Sequence, residues 1–161
     1  MNQELDTVTK LKEKNEYFMN EALKEAKKAY LKGEVPVGAV IVLDNEIISR
    51  GHNIKEGTNR PEAHAEIIAI QKAAKKIGDW RLIDCEMFVT LEPCPMCAGG
   101  LIQSRIKKLY YGTKDLKSGA VDSIMNLLKF PWNHQVEVES GILEKKCESI
   151  LKDFFKEIRN R

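Results

Sequence analysis

The chain has no long apolar run. Its most hydrophobic stretch, Val35 to Leu43, is broken by Pro36 and Gly38 and falls far short of the ~20 residues that cross a bilayer. Met1 to Asn15 is polar and charged, with nothing resembling a signal peptide. Cysteine is scarce, at Cys85, Cys94, Cys97 and Cys147 only. Without a secretory signal, such thiols are expected to be reduced, metal-bound or inert rather than paired. An excess of one charge is missing too: 26 Lys+Arg against 24 Asp+Glu leaves +2. That excludes a basic packaging protein and an acidic disordered tail, although a local basic patch fits inside a near-neutral total. There is no internal repeat, low-complexity tract or linker. The expectation is a cytoplasmic chain with no membrane partner.

What is present suits one domain. A chain of 161 residues, 43% hydrophobic, is long enough to bury a core without disulfide staples. Residues 1–14 read as a flexible N-terminal extension or a short extra helix, and 15–161 as a single domain. Phe18, Met19, Ala22, Leu23, Ala26, Ala29 and Tyr30 recur at helical spacing between Glu16 and Lys32, and Gly33 ends that helix. Val37–Leu43 reads as a buried strand, Asp44-Asn45 as a turn and Glu46–Arg50 as its hairpin partner. A polar loop, Gly51 to Arg60, leads to Pro61 as a helix-opening residue, with a helix from Ala63 to Ile77. Strands follow at Met87–Leu91 and Lys107–Gly112, separated by a helix from Pro93–Pro95 to Ser104. Thr113 to Pro131 reads as loop with a short helix near Ile124–Leu128, Val136–Val138 as an edge strand, and Leu143 to Asn160 as a terminal helix. A hairpin followed by alternating helices and strands argues for an α/β layered sandwich with a mixed sheet.

Two segments carry chemistry: His64-Ala65-Glu66 and Pro93-Cys94-Pro95-Met96-Cys97. Two thiolates from a CxxC and one imidazole make three metal ligands, and three leave the fourth tetrahedral position open, as in a catalytic zinc site. Zinc lowers the pKa of its bound water toward ~7. Both segments open a helix, whose positive end favours thiolate over thiol. Mid-helix, His64 and Glu66 would point to different sides. At a helix start they can flank one metal, with the carboxylate free to carry protons. Alone, the histidine, the CxxC and the glutamate each have an ordinary structural explanation. Together, in strand–loop–helix settings, they match H-x-E…P-C-x-x-C, the signature of zinc deaminases of cytosine and adenine. Cys85 and Cys147 read as buried, inert thiols.

The match extends beyond that motif. Gly33-Glu34-Val35-Pro36-Val37-Gly38-Ala39-Val40, Gly51-His52-Asn53, Ala63-His64-Ala65-Glu66-Ile67, Trp80-Arg81-Leu82-Ile83-Asp84, Val89-Thr90-Leu91-Glu92-Pro93-Cys94, Cys97-Ala98-Gly99, Ser104-Arg105-Ile106 and Leu151-Lys152-Asp153-Phe154-Phe155 resemble the bacterial tRNA-specific adenosine deaminases. These belong to the cytidine/deoxycytidylate deaminase superfamily. The resemblance runs from Tyr17 to Arg159. It implies a cytidine-deaminase-like three-layer α/β/α sandwich with a mixed five-stranded sheet, and a homodimer. It implies hydrolysis of the wobble adenosine of an arginine tRNA anticodon loop to inosine, with hydroxide on zinc attacking C6 and ammonia leaving. One zinc per subunit would be held by His64, Cys94 and Cys97, with Glu66 catalytic and Asn53 and Asp115 binding the substrate.

The chain departs from the family at Arg60-Pro61-Glu62, where Asp-Pro-Thr is common, which alters charge near the substrate entrance. Cys85 replaces a small apolar residue, and Met1–Lys14 has no counterpart. Arg105, Lys107, Lys114 and Lys117 form a basic stretch, and with Phe155 and Arg159 they are the candidate contacts to the anticodon stem-loop. Phe154 and Phe155 are neighbours on a helix and cannot both face the core squarely. Two rivals remain: a zinc deaminase of a free base or nucleotide such as guanine or deoxycytidylate, and a non-catalytic zinc-stabilised RNA-binding module.

Overall fold

Successive residues of a strand face opposite ways, and the central strands of this chain are apolar on both sides. In a computed structural model describing residues 2–161, the elements run α1 (Asn2–Leu31), β1 (Gly38–Leu43), β2 (Glu46–His52), α2 (Lys55–Thr58), α3 (Ala65–Ile77), β3 (Glu86–Leu91), α4 (Pro95–Gln103), β4 (Lys108–Thr113), a 3-10 turn (Leu127–Lys129), β5 (Glu137–Ser140) and α5 (Glu144–Arg159). The strands form one mixed five-stranded sheet in the order β2-β1-β3-β4-β5. β1 pairs antiparallel with β2 and β3, whereas β3, β4 and β5 run parallel.

Parity assigns the layers. Ala39 and Ile41, Met87 and Val89, and Leu109 and Tyr111 pack on one face against Ala65, Ala69 and Ala73 of α3 and Ala98, Leu101 and Ile102 of α4. The alternate residues Val40, Val42, Phe88 and Tyr110 pack on the other face with Phe18, Met19 and Ala22 of α1 and Cys147 of α5. Phe88 and Tyr110, register partners on β3 and β4, stack with ring centroids 4.2 Å apart. The expected α/β/α sandwich with a mixed five-stranded sheet is therefore the fold observed.

Three local expectations differ from the structure. Asn2 to Lys14 is neither frayed nor a separate helix but the first part of the 30-residue α1. Met1, the first residue of the expected extension, lies outside the described residues. Once the buried half of α1 is nucleated, adding turns of Lys, Glu and Leu is inexpensive, even though Leu5, Val8 and Leu11 stay exposed. The loop after β2 contains the short helix α2. Pro61 does not open α3, which begins at Ala65 with His64 as its N-cap.

Gly51 lets α3 lie close on β2. A Cβ there would sit 2.4 Å from the Ala65 carbonyl oxygen and 2.8 Å from the Ala69 nitrogen, so any side chain must push the helix away. Overpacking of this kind costs roughly 1–3 kcal/mol. Gly51→Val is expected to lower the urea midpoint of unfolding accordingly. A midpoint equal to that of the unsubstituted protein would show that the helix yields freely.

Candidate active site

Parallel strands present their carboxyl ends to a common crevice. Here the end of β3, the loop after β4, the start of β1 and the end of β2 surround a cleft of about 480 Å³, with Val35, Asn53, His64, Glu66, Cys94, Asp115 and Phe155 among its lining residues. α3 and α4 both start at this edge. His64 is the N-cap of α3, in extended conformation (φ −80°, ψ 152°), and Cys94 is the N-cap of α4 (φ −75°, ψ 174°), followed by Pro95 in the first turn. Cys97 sits in that first turn and is fully buried.

The three ligand atoms converge. His64 Nδ1 lies 3.6 Å from Cys94 Sγ and 3.5 Å from Cys97 Sγ, and all three atoms fall within 4.8 Å of one another. Zinc bonds of ~2.3 Å to sulfur and ~2.0–2.1 Å to nitrogen in a tetrahedron give a nitrogen-to-sulfur edge of about 3.6 Å. The spacing and the donor set both fit that ion. The electrostatics agree. A hydrogen bond from Cys97 and the His64 imidazole, acting against burial, pull the Cys94 thiol down to about 4. The bond to Cys94 raises His64. Cys97 is pushed up by its bond to the Cys94 sulfur and by burial. Two thiols and an imidazole sharing protons this tightly make a site that gains by exchanging protons for a metal.

Glu66 occupies the first turn of α3 with 4% of its surface exposed. Burial raises its carboxyl to about 7, with the nearby Cys94 charge adding to the rise and hydrogen bonds from its own amide and the Cys97 thiol opposing it. The helix start thus does what the motif requires, placing one residue as ligand and its second neighbour beside the same site.

Asn53 lines the cleft half-buried. Its Oδ1 accepts the Ala65 N–H at 2.9 Å, satisfying an amide at the start of α3, and its Nδ2 donates to the Val35 carbonyl at 3.1 Å. An amide side chain has two N–H groups and two acceptor lone pairs, so one of each remains. Asp115 also lines the cleft, its Oδ1 accepting the N–H groups of Lys117 and Ser118, both at 3.1 Å.

The basic candidates separate. Lys114 and Lys117 lie on the loop that carries Asp115, but Lys114 is paired with Asp122 at 2.9 Å. Both Phe154 and Phe155 line the cleft, Phe154 buried and Phe155 45% exposed. Arg159 ends α5 on the same helix. Arg105 and Lys107 precede β4, so the length of that strand separates them from Lys114 and the cleft. The Arg105 guanidinium is occupied by the Ile102 and Gln103 carbonyls at the end of α4. At the departure from the family pattern, Arg60 and Glu62 pair at 2.7 Å, so the altered charges largely cancel. Cys85 and Cys147 are buried, with thiols pushed up to about 11 and about 12 by that burial, and so are inert as expected.

Sequence reasoning did not single out two buried glutamates of the same cleft. Glu34 accepts the N–H groups of Glu56 at 2.9 Å and Gly57 at 2.7 Å, holding α2 against the rim. Glu92 accepts amides from the loop after β4, and its donors, led by the Ser123 hydroxyl and amide, outweigh burial and keep it below the ordinary carboxylate range. A glutamate set among apolar residues next to a strand end is the signal that both shared.

A family model for MafB19-like deaminases matches residues 12–159. The tRNA-specific adenosine deaminase of Bacillus subtilis (strain 168) is 51% identical over 148 residues, covering 91% of this chain and 92% of its own. A solved structure from studies of A-to-I editing by deaminases at the wobble position of transfer RNA superposes with a TM-score of 0.82 at 43% identity, over 84% of this chain and 99% of that one. A guanine deaminase from Nitrosomonas europaea shares the fold, with a TM-score of 0.76 at 22% identity over 86% and 83% of the two chains. With a deaminase model spanning the domain and half of all aligned positions identical to a curated relative, this chain is a deaminase and belongs to the family of the tRNA-specific adenosine deaminases.

Proposed function

We propose that the chain hydrolyses the wobble adenosine of a tRNA anticodon loop to inosine and releases ammonia. The observation that carries this reading is the buried Glu66 carboxyl, held against Cys97 beside a three-ligand site in a cleft wide enough for one base. Zinc held by His64, Cys94 and Cys97 would supply the Lewis acidity that makes a water oxygen nucleophilic at neutral pH.

The chain's own residues handle the protons. In the reaction an oxygen bonds to C6, N1 gains a proton, and the C6–amine bond breaks as the amine takes up another. Glu66, raised to about 7, exchanges a proton near neutrality. It takes one proton from the attacking water and gives it to N1, then takes the remaining proton of the new C6 hydroxyl and gives it to the leaving amine, so that the C6 carbonyl forms as the C6–amine bond breaks. Asn53 offers its remaining N–H and lone pair to the purine edge. Asp115 faces the ribose. A base in a duplex stack cannot reach such a pocket, whereas an unstacked loop base can be swung in. Phe155 supplies a stacking face at the mouth, and Lys117 and Arg159 supply charge for phosphates. Arg105 and Lys107, at the far end of β4, suit RNA outside the anticodon loop. The arginine tRNA, the homodimer and the cytoplasmic location are assigned on the family resemblance; among the described residues no helix is long and apolar enough to cross a membrane.

Three outcomes are expected. Zinc-loaded protein incubated with an anticodon stem-loop converts the wobble adenosine to inosine, read by sequencing, and leaves free guanine and deoxycytidylate unchanged. Robust guanine turnover without inosine would replace this reading with the free-base one. Glu66→Gln retains zinc and RNA binding but loses turnover by about 10²–10⁴-fold, the contribution of a positioned acid–base group; undiminished turnover would give the acid–base role to another group, and RNA binding without any turnover in the parent protein would leave the binding module.

The third concerns pH. In metal-free protein the Glu66 carboxyl titrates near 4.5 when unfolded and about 7 when folded. Between those values the folded state binds more protons, so this group's contribution to stability is full below pH 4.5 and is lost as pH rises through 7. Chemical denaturation across that window should show a steeper decline for the parent protein than for Glu66→Gln. Equal slopes would mean that the buried carboxyl is not held protonated.

A further inference from the structure

We infer that Glu92 is a positioning residue: its carboxylate sets the loop from Lys114 to Ser123 against the strand end that carries Cys94, and so places Asp115 for substrate. Glu92 is 2% exposed and lies two residues before Cys94. Its partners are donors of that one loop. Oε1 accepts the Asp115 N–H at 3.1 Å and the Ser123 hydroxyl at 2.5 Å. Oε2 accepts the N–H groups of Val121 at 3.1 Å, Asp122 at 2.8 Å and Ser123 at 2.9 Å. Five donors meet the roughly four lone-pair sites of a carboxylate, which leaves no capacity for substrate or for proton transfer. Glu92 therefore acts through the loop.

Other features converge on the same contact. Gly119 approaches so closely that a Cβ would lie 2.3 Å from Glu92 Cδ, 2.4 Å from its Oε2 and 2.5 Å from the Asp115 carbonyl oxygen. The backbone fastens the two segments in both directions, Glu92 N–H to the Thr113 carbonyl at 2.9 Å and Ala120 N–H to the Pro93 carbonyl at 2.8 Å. The peptide leading into Cys94 and the turn carrying Asp115 thus move as one unit. Asp115 and Ser118 present that unit to the cleft.

The part of this inference that concerns substrate rests on the proposed RNA reading; the ordering of the loop does not. The test uses the full chain with zinc and the variants Glu92→Gln, Glu92→Ala and Gly119→Ala. Amide hydrogen exchange over 114–123, zinc content, and kcat and KM on the anticodon stem-loop are measured together. Glutamine can keep its oxygen on the three amides while its NH₂ group faces the Asp115 N–H, so Glu92→Gln is the graded case. For it we expect exchange in 114–123 and KM to rise about tenfold, as one lost charge-assisted hydrogen bond allows, with zinc content unchanged and kcat within about threefold. Gly119→Ala should produce the same pattern from the other side of the contact, and it keeps the test open if Glu92→Ala does not fold. Unchanged exchange with unchanged KM would overturn the inference, as would loss of zinc and kcat at constant KM. If the parent protein makes no inosine on the stem-loop, the RNA reading fails, and the exchange measurement still decides whether Glu92 orders the loop.

Discussion

α3 and α4 begin at one point beside the carboxyl end of β3, each with a member of the His64–Cys94–Cys97 cluster as its N-cap, and the site depends on that convergence. An N-cap lies outside the helix while its carbonyl already belongs to it, which lets His64 and Cys94 turn away from their helices toward each other. The positive ends of both helices then face the same small volume. Thiolate character at Cys94, the 3.5–3.6 Å spacing to His64 and the nearness of Glu66 all follow from this placement. Holding it requires α3 to sit close on the sheet over Gly51. It also requires Asn53 to satisfy the amide of Ala65, so one residue of the cleft wall also fastens the helix that carries a ligand.

Three buried glutamates share the cleft and differ in role because their surroundings differ. Glu34 and Glu92 are met by backbone amides and serve as acceptors that fix α2 and the loop after β4. Glu66 lies against a thiol in a desolvated corner and is raised to about 7. The same side chain is thus a hydrogen-bond anchor at two positions and, at the third, the candidate proton carrier of the proposed reaction, as environment alone can arrange.

Much of this was legible in the order of residues. The period of the apolar positions marks α1, α3 and α5. The apolar run at Val37–Leu43 marks β1, and the turn residues Asp44-Asn45 mark the hairpin. Spacing brings Cys94 and Cys97 to one turn, and a helix start reconciles His64 with Glu66. The misreadings have local causes. Asn2–Lys14 is helical because it continues a helix nucleated by buried residues further on, a cooperative effect that its own composition does not display. Pro61 favours a helix start by its fixed φ, but α3 waits until the amide of Ala65 can meet Asn53.

The sequence by itself determined the deaminase motif and the alternation that builds a two-faced sheet, because these depend on residue type and on short spacings. Only the tertiary structure decided which charges reach the cleft. Asp115, on the loop that also carries Lys117, meets Phe155 of α5 there, whereas Arg105 and Lys107, close to Lys114 in the chain, are carried to the other end of β4 by an extended strand. It also decided what Glu34 and Glu92 do. A carboxylate's role is set by the donors around it, and those donors come from segments that only folding brings within hydrogen-bonding distance.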